Sequence, residues 1–171
     1  MAQTASSRFQ LFTALFLAAA MAAVVGTALG FEHLGGFIPC KLCLAQREPY
    51  YAGVPVALLA AAGAALGWRG CFVRGMLTVV ALLMTYSIAL AVYHSGVEWS
   101  WWAGPADCGA AATSGITTDA GSLLGTLDAV TPPSCDEAAG RFLGLSFAGW
   151  NVLASLALAA IAWRAVFNGK R

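Results

Sequence analysis

The sequence predicts an all-α membrane protein: a single domain over residues 1–171, a bundle of four transmembrane helices with both termini in the cytoplasm and a long external loop between helices 3 and 4. Three observations predict it. The chain is 60% hydrophobic and only 10% charged, with a mean hydropathy of +0.75, whereas soluble domains carry roughly a quarter charged residues. It contains four apolar runs of about the 20 residues a helix needs to cross a bilayer. Its basic residues also segregate to alternate sides of those runs. With a net charge of +1, there is no basic stripe of the kind that binds nucleic acid.

The first run covers residues 9–31. Arg8 before it and the small residues of TALG near its end also suit a cleaved signal peptide. Its uncharged stretch exceeds the roughly 7 to 15 residues of a signal core, so a retained span is expected. Residues 32–49 form a short external loop holding FIPCKLCLAQREP. The second run, 50–68, contains Pro55 and several glycines, which membrane helices tolerate better than soluble ones. A tight turn, GWRGCFVRG, leads to the third run, 72–93, interrupted only by Arg74. The loop over 94–141 is long, and such loops are usually functional or disordered. Within it, Leu123, Leu124, Leu127 and Val130 recur at helical spacing behind Thr118 and Asp119 as N-caps. A short interfacial helix, aided by the aromatic EWSWW at 98–102, is one reading; a loop with scattered leucines is the other. The last run is 142–163.

Orientation follows from charge. Arg8, Arg69, Arg74, Arg164, Lys170 and Arg171 fall on one side by alternation, and Lys41, Arg47 and Arg141 on the other. The richer side is expected to be cytoplasmic.

The five cysteines are unevenly placed on this topology. Cys40 and Cys43 lie in the first external loop, Cys108 and Cys135 in the second, and Cys71 alone on the cytoplasmic side, where a free thiol is expected. Four cysteines on an oxidising face allow three pairings. Close spacing favours Cys40 with Cys43, leaving Cys108 with Cys135. A bridge closing the 28 residues from 108 to 135 gains roughly 3 to 4 kcal/mol in the chain-entropy treatment and is credible as a staple. A C-x-x-C bridge closes too small a loop to stabilise much, so it is better suited to being made and broken. The motif also lowers a thiol pKa, particularly where a helix begins.

Arg47 stands four residues after Cys43. If the helix has already started there, its guanidinium shares a face with that sulfur and stabilises a thiolate or an anionic ligand. Pro49 either kinks this segment or marks the first turn of the membrane helix. His94, at the outer end of the third run, is either an ordinary interfacial histidine or a group assisting proton uptake near a bound ligand. A zinc site is not expected: the second cysteine pair lacks half-site spacing, and neither His33 nor His94 completes one.

PCKLC at 39–43, Arg47, YHSG at 93–96, the pair Cys108 and Cys135, and RFLGLSFAGW at 141–150 together resemble the disulfide-bond formation protein B (DsbB) family. These are bacterial inner-membrane oxidases that regenerate the periplasmic dithiol oxidant DsbA using quinone. The resemblance spans nearly the whole chain. It implies a multi-pass inner-membrane protein with its redox loops in the periplasm, a DsbA-like thioredoxin-fold partner, and ubiquinone or menaquinone as cofactor. Carried over by position, Cys108 is the sulfur attacked by the partner's thiolate, and Cys135 is then released to attack Cys40. Cys43 becomes the thiolate facing the quinone, with Arg47 and His94 beside it. The motif departs from the family at Ala45 and Gln46, where an aromatic and an acidic residue are common. DsbA sits at about −120 mV against roughly −270 mV for thioredoxin, so its reoxidation needs a strong acceptor, which a membrane quinone supplies. Two further readings are a vitamin K epoxide reductase-like enzyme, whose C-x-x-C lies in a late helix, and a non-enzymatic tetraspan scaffold with structural disulfides.

Overall fold

The computed structural model describes residues 5–105 and 134–168. Cys108 and the interfacial helix expected behind Thr118 lie outside the described residues. The chain is mostly helical: α1 (Ala5–His33), a short α2 (Lys41–Ala45), α3 (Glu48–Ala65), α4 (Gly70–Glu98), the strands β1 (Arg141–Phe142) and β2 (Leu145–Ser146), and α5 (Phe147–Asn168). The four long helices pack as a ring. α3 lies between α1 and α4, α5 lies against α4, and α1 closes the ring on α5 with the sparsest of these contacts.

The packing is that of a lipid-facing bundle. Its centre is lined by small residues, including Ala14, Ala57, Ala60, Ala81, Ala162 and Ala165, with Leu17, Met21, Leu77 and Met84 between them. Large apolar side chains such as Phe12, Phe16, Leu59, Leu82 and Leu153 point outward. Lipid tails are as apolar as leucine, so burying leucine gains nothing there; close approach of backbones does, and small residues permit it. α1 from Ser6, α4 and α5 are each long and apolar enough to cross a bilayer. α3, at 18 residues, opens on Glu48, Pro49, Tyr50 and Tyr51 and is not one of these three.

Element boundaries differ from expectation at two places that matter. First, no single helix runs through the cysteine motif. α2 ends at Ala45, Arg47 caps α3, and Pro49 sits in the first turn of α3, where its missing N–H costs no hydrogen bond. Second, the last helix begins at Phe147 rather than 142. Residues 141–146 form a hairpin pairing Arg141 with Ser146 and Phe142 with Leu145. Its two turn residues, Leu143 (φ 51°) and Gly144 (φ 84°), are both left-handed, as a two-residue turn between twisted strands requires. Trp150 donates its indole N–H to the Phe142 carbonyl (2.9 Å) and ties the hairpin to α5.

α4 runs a full turn beyond the expected end, to Glu98. The chain then folds back at Ser100 (φ 57°), and the Trp102 indole N–H donates to the Tyr93 carbonyl (2.8 Å) while its ring stacks on the Tyr93 ring. Gly96 leaves the room for this, since a Cβ there would fall inside the Trp102 ring. Gly96→Ala is therefore expected to expel the indole and lose the hydrogen bond, at about 1 to 2 kcal/mol. A shift of the Trp102 Nε1–H resonance with a lowered unfolding midpoint checks this; an unmoved resonance would contradict it.

Candidate active site at the cysteine pair

Cys40 and Cys43 flank the first turn of α2. Cys40 is the N-cap, in extended backbone, and its Sγ accepts the Cys43 backbone N–H at 3.2 Å. This local geometry turns the two sulfurs toward each other, 2.7 Å apart, and both are free thiols. A bond between them needs only a modest closing, since S–S is about 2.05 Å in a disulfide. Cys40 packs in one buried cluster with Leu42, Val97 and Cys135. Cys135 is disulfide-bonded; Cys108, its expected partner, lies outside the described residues. Cys71 is free and exposed, apart from this cluster.

His94 comes to the pair from α4. It is 3% exposed, with Nε2 3.6 Å from Cys40 Sγ and 3.8 Å from Glu98 Oε1. A line of side chains orients it. The Tyr50 hydroxyl donates to Asn151 Oδ1, Asn151 Nδ2 donates to Gln46 Oε1 (2.6 Å), and Gln46 Nε2 donates to His94 Nδ1. An amide nitrogen has hydrogens and no acceptor lone pair, so Nδ1 must be the bare nitrogen and the neutral ring carries its proton on Nε2. That N–H faces the Cys40 sulfur and the Glu98 carboxylate.

The electrostatics follow. Cys40 is lowered to about 4, chiefly by the hydrogen bond from the Cys43 thiol and then, against its own burial, by His94 and the Cys43 backbone N–H. Cys43 moves in the opposite direction, raised by its bond to Cys40, by burial and by the negative charges of Cys40 and Glu98. The reduced pair thus carries one negative charge on Cys40 and one proton on Cys43. The resemblance had assigned the thiolate to Cys43; in this reduced arrangement the donors converge on Cys40.

Cys40, Cys43 and His94 offer donor atoms within 4.8 Å of one another, a set that suits zinc by type. The ring proton argues otherwise. Gln46 fixes it on Nε2, the nitrogen nearest Cys40, and ligation there would require the amide to turn over.

Arg47 departs most from expectation. Capping α3 beyond the break, its guanidinium pairs with Glu32 at the end of α1, so its charge is balanced there and it is not among the groups that shift Cys43. Glu32, Gln46, Tyr50, Asn151 and Glu98 were not identified from sequence. Four-residue spacings, Gln46 to Tyr50 and His94 to Glu98, were the available signals, as was an amide inside an apolar run for Asn151.

Two cavities meet at the pair. One of about 280 Å³ is the more polar of the two, lined by Cys40, Cys43, His94, Glu98, Ser134 and Glu137 together with the apolar Ala138, Ala139, Phe147 and Ala148. The other, about 550 Å³, lies between α1 and α5 with mostly apolar walls, including Val24, Phe31, Phe147 and Trp150. Cys43, Gln46, Arg47, Tyr50, His94 and Asn151 gather at its polar part. Cys43 and His94 border both cavities, whereas Cys40 borders only the polar one.

The family profile described as Disulfide bond formation protein DsbB matches residues 10–165. A relative named Disulfide bond formation protein B, from Polaromonas sp. (strain JS666), is 30% identical over 144 residues, covering 83% of this chain and 82% of the relative. No solved structure matches the chain significantly. With a C-x-x-C thiol pair set at the edge of a bundle of apolar helices, the chain belongs to the DsbB family, the membrane oxidoreductases of disulfide bond formation.

Proposed function

We propose that the protein reoxidises a periplasmic thioredoxin-fold dithiol oxidant of the DsbA type and passes the electrons through two cysteine pairs to a membrane quinone. The carrying observation is the position of the pair: Cys40 packs against Cys135, and Cys43 alone of the two borders the apolar cavity. In this scheme the partner's thiolate attacks Cys108, breaking its bond to Cys135. The freed Cys135 thiolate attacks Cys40, and the electron pair leaves on Cys43, which faces the acceptor. The partner's second thiolate then displaces Cys108, which retakes Cys135 and frees Cys40, leaving the partner oxidised and the Cys40–Cys43 pair reduced. Each step makes one sulfur–sulfur bond as another breaks.

The apolar cavity fits a quinone in size and chemistry. Its volume lies in the range usual for small-molecule sites, with apolar walls and a few convergent polar groups. Arg47 and His94 would hold the ring, Arg47 fixed by Glu32 and His94 by Gln46. When bound, the quinone supplies an acceptor for two electrons and two protons. Cys43 delivers to it from the wall both cavities share, and His94 keeps a donor on the sulfur of Cys40. In the membrane, α3 serves as the fourth span and both termini are cytoplasmic, which the segregation of basic residues supports. That puts the cysteine pair on the oxidising side.

Anaerobic mixing of the purified protein with ubiquinone and reduced DsbA tests the reading. Quinone reduction is expected, and Cys43→Ser is expected to abolish it. Absence of quinone reduction, or undiminished reduction by the variant, defeats the proposal. Thiol trapping in cells separates it from a scaffold, in which the bridges stay oxidised when the partner is reduced.

A further inference from the structure

Joining two thiols into a disulfide releases two electrons and two protons. One proton is gone once Cys40 has ionised; the other stays on Cys43 and needs an acceptor. His94 is the obvious candidate by residue type, yet both its nitrogens are engaged. Nδ1 accepts from Gln46, and Nε2 bears the ring proton facing Cys40 and Glu98. An imidazole so held donates to sulfur and has no free lone pair with which to remove a proton.

Glu98 answers the need. One turn beyond His94 on α4, it folds its carboxylate back into the polar cavity that Cys40 and Cys43 border. The side chain is only 4% exposed. Oε1 lies near the His94 N–H, and Oε2 is buried without a hydrogen-bond partner among the described residues. A buried acceptor without a donor is costly to keep, and a thiol proton is the kind of group it lacks. Glu137, the other carboxylate of this cavity, is exposed and met by water.

We infer that Glu98 is the proton acceptor of the reduced Cys40–Cys43 pair, taking the proton the pair retains as the two sulfurs join, with His94 acting as a positioning donor to Cys40. The Cys43 S–H bond breaks, its proton crosses the cavity that both groups line to the Glu98 carboxylate, the sulfur–sulfur bond forms, and two electrons pass to the quinone. The resulting carboxylic acid returns its proton to water through the polar cavity. The two protons lost by the dithiol balance the two the quinone takes up. This rests on the function proposed above for the acceptor, though not for the proton.

The test compares wild type with Glu98→Gln and Glu98→Asp, first reduced, then reoxidised in stopped flow by a soluble quinone and, separately, by diamide, a chemical thiol oxidant. Thiolate absorbance of the quinone-free protein is recorded alongside. Removing an anion beside the pair leaves the thiolate content of Glu98→Gln equal to or above that of wild type. Its reoxidation by both oxidants is nevertheless expected to slow by about 100-fold, the usual worth of a positioned proton acceptor, with partial recovery in Glu98→Asp. Time-resolved infrared difference spectra should show a protonated-carboxyl band that rises and decays during oxidation, absent from Glu98→Gln. Wild-type rates in Glu98→Gln, or a slowing in proportion to lost thiolate, overturn the inference. A wild type that diamide oxidises and quinone does not defeats the proposed function instead, leaving the diamide comparison to decide the role of Glu98.

Discussion

Cys43→Ala is expected to leave Cys40 folded in place, to abolish turnover, and to move the titration of Cys40 upward. Loss of turnover is a matter of bonding, since Cys40 then has no partner for its disulfide. The titration follows from the structure. The thiol of Cys43 is the largest cause of the lowered Cys40 value of about 4, and alanine removes it while His94 and the backbone N–H remain. A group held this low is ionised at every pH above that value. Alkylation of Cys40 in the reduced wild type should therefore be nearly flat from about pH 6 to about pH 9, because the thiolate is the reacting form. In Cys43→Ala the thiol regains its proton over part of that range, and the profile acquires a slope with its midpoint toward the ordinary thiol value. Peptide-resolved alkylation across pH measures both. An unchanged flat profile in the variant would falsify the assignment of the charge to a sulfur–sulfur hydrogen bond.

Asn151→Leu should be the most damaging single change away from the cysteines. Tyr50 is 1% exposed and Gln46 7%, and Asn151 satisfies both, accepting from one and donating to the other. Leucine strands the Gln46 amide oxygen and takes from the Tyr50 hydroxyl its acceptor, with Ser87 and Ser155 the groups left beside it, at about 1 to 3 kcal/mol. The change also reaches the sulfur. With Gln46 released, its amide no longer has to present N–H to His94 Nδ1, both ring tautomers become available, and the donor aimed at Cys40 is lost for part of the population. Denaturant titration in detergent reads the first effect, and ¹⁵N resonances of the His94 ring read the second. Adding Tyr50→Phe should recover part of the stability, because one stranded group is removed with its partner; full additivity of the two losses would show that the line of side chains is not a unit.

Much of the bundle was legible in the sequence because apolar run length and the absence of charge are properties of the chain alone. Cys40, Cys43 and His94 were legible as chemistry for a similar reason: thiols at the edge of an apolar run are unusual wherever the fold takes them. Boundaries were less so. The Leu143 and Gly144 turn looks like an apolar helix start until its left-handed backbone is seen, and the extension of α4 to Glu98 is hidden by tryptophans that read as a membrane belt. All three of those tryptophans, Trp99, Trp101 and Trp102, are exposed, while Glu98 turns inward. The partners of Arg47 and Gln46 were not legible, because nothing local connects Arg47 to Glu32 or Gln46 to Asn151. Gln46 stood out only as a mismatch with the family motif. In the fold that residue decides which nitrogen of His94 bears a proton.

The sparse seam between α1 and α5, with the apolar cavity behind it, sets how occupancy of that cavity must be reckoned. A lipophilic occupant arriving through the seam comes from a two-dimensional film, so its filling follows mole fraction in the bilayer and not molarity in the sample. Dissolving the protein in more detergent then empties the cavity at constant total ligand, and saturation curves taken at different detergent contents should coincide only when replotted per amphiphile.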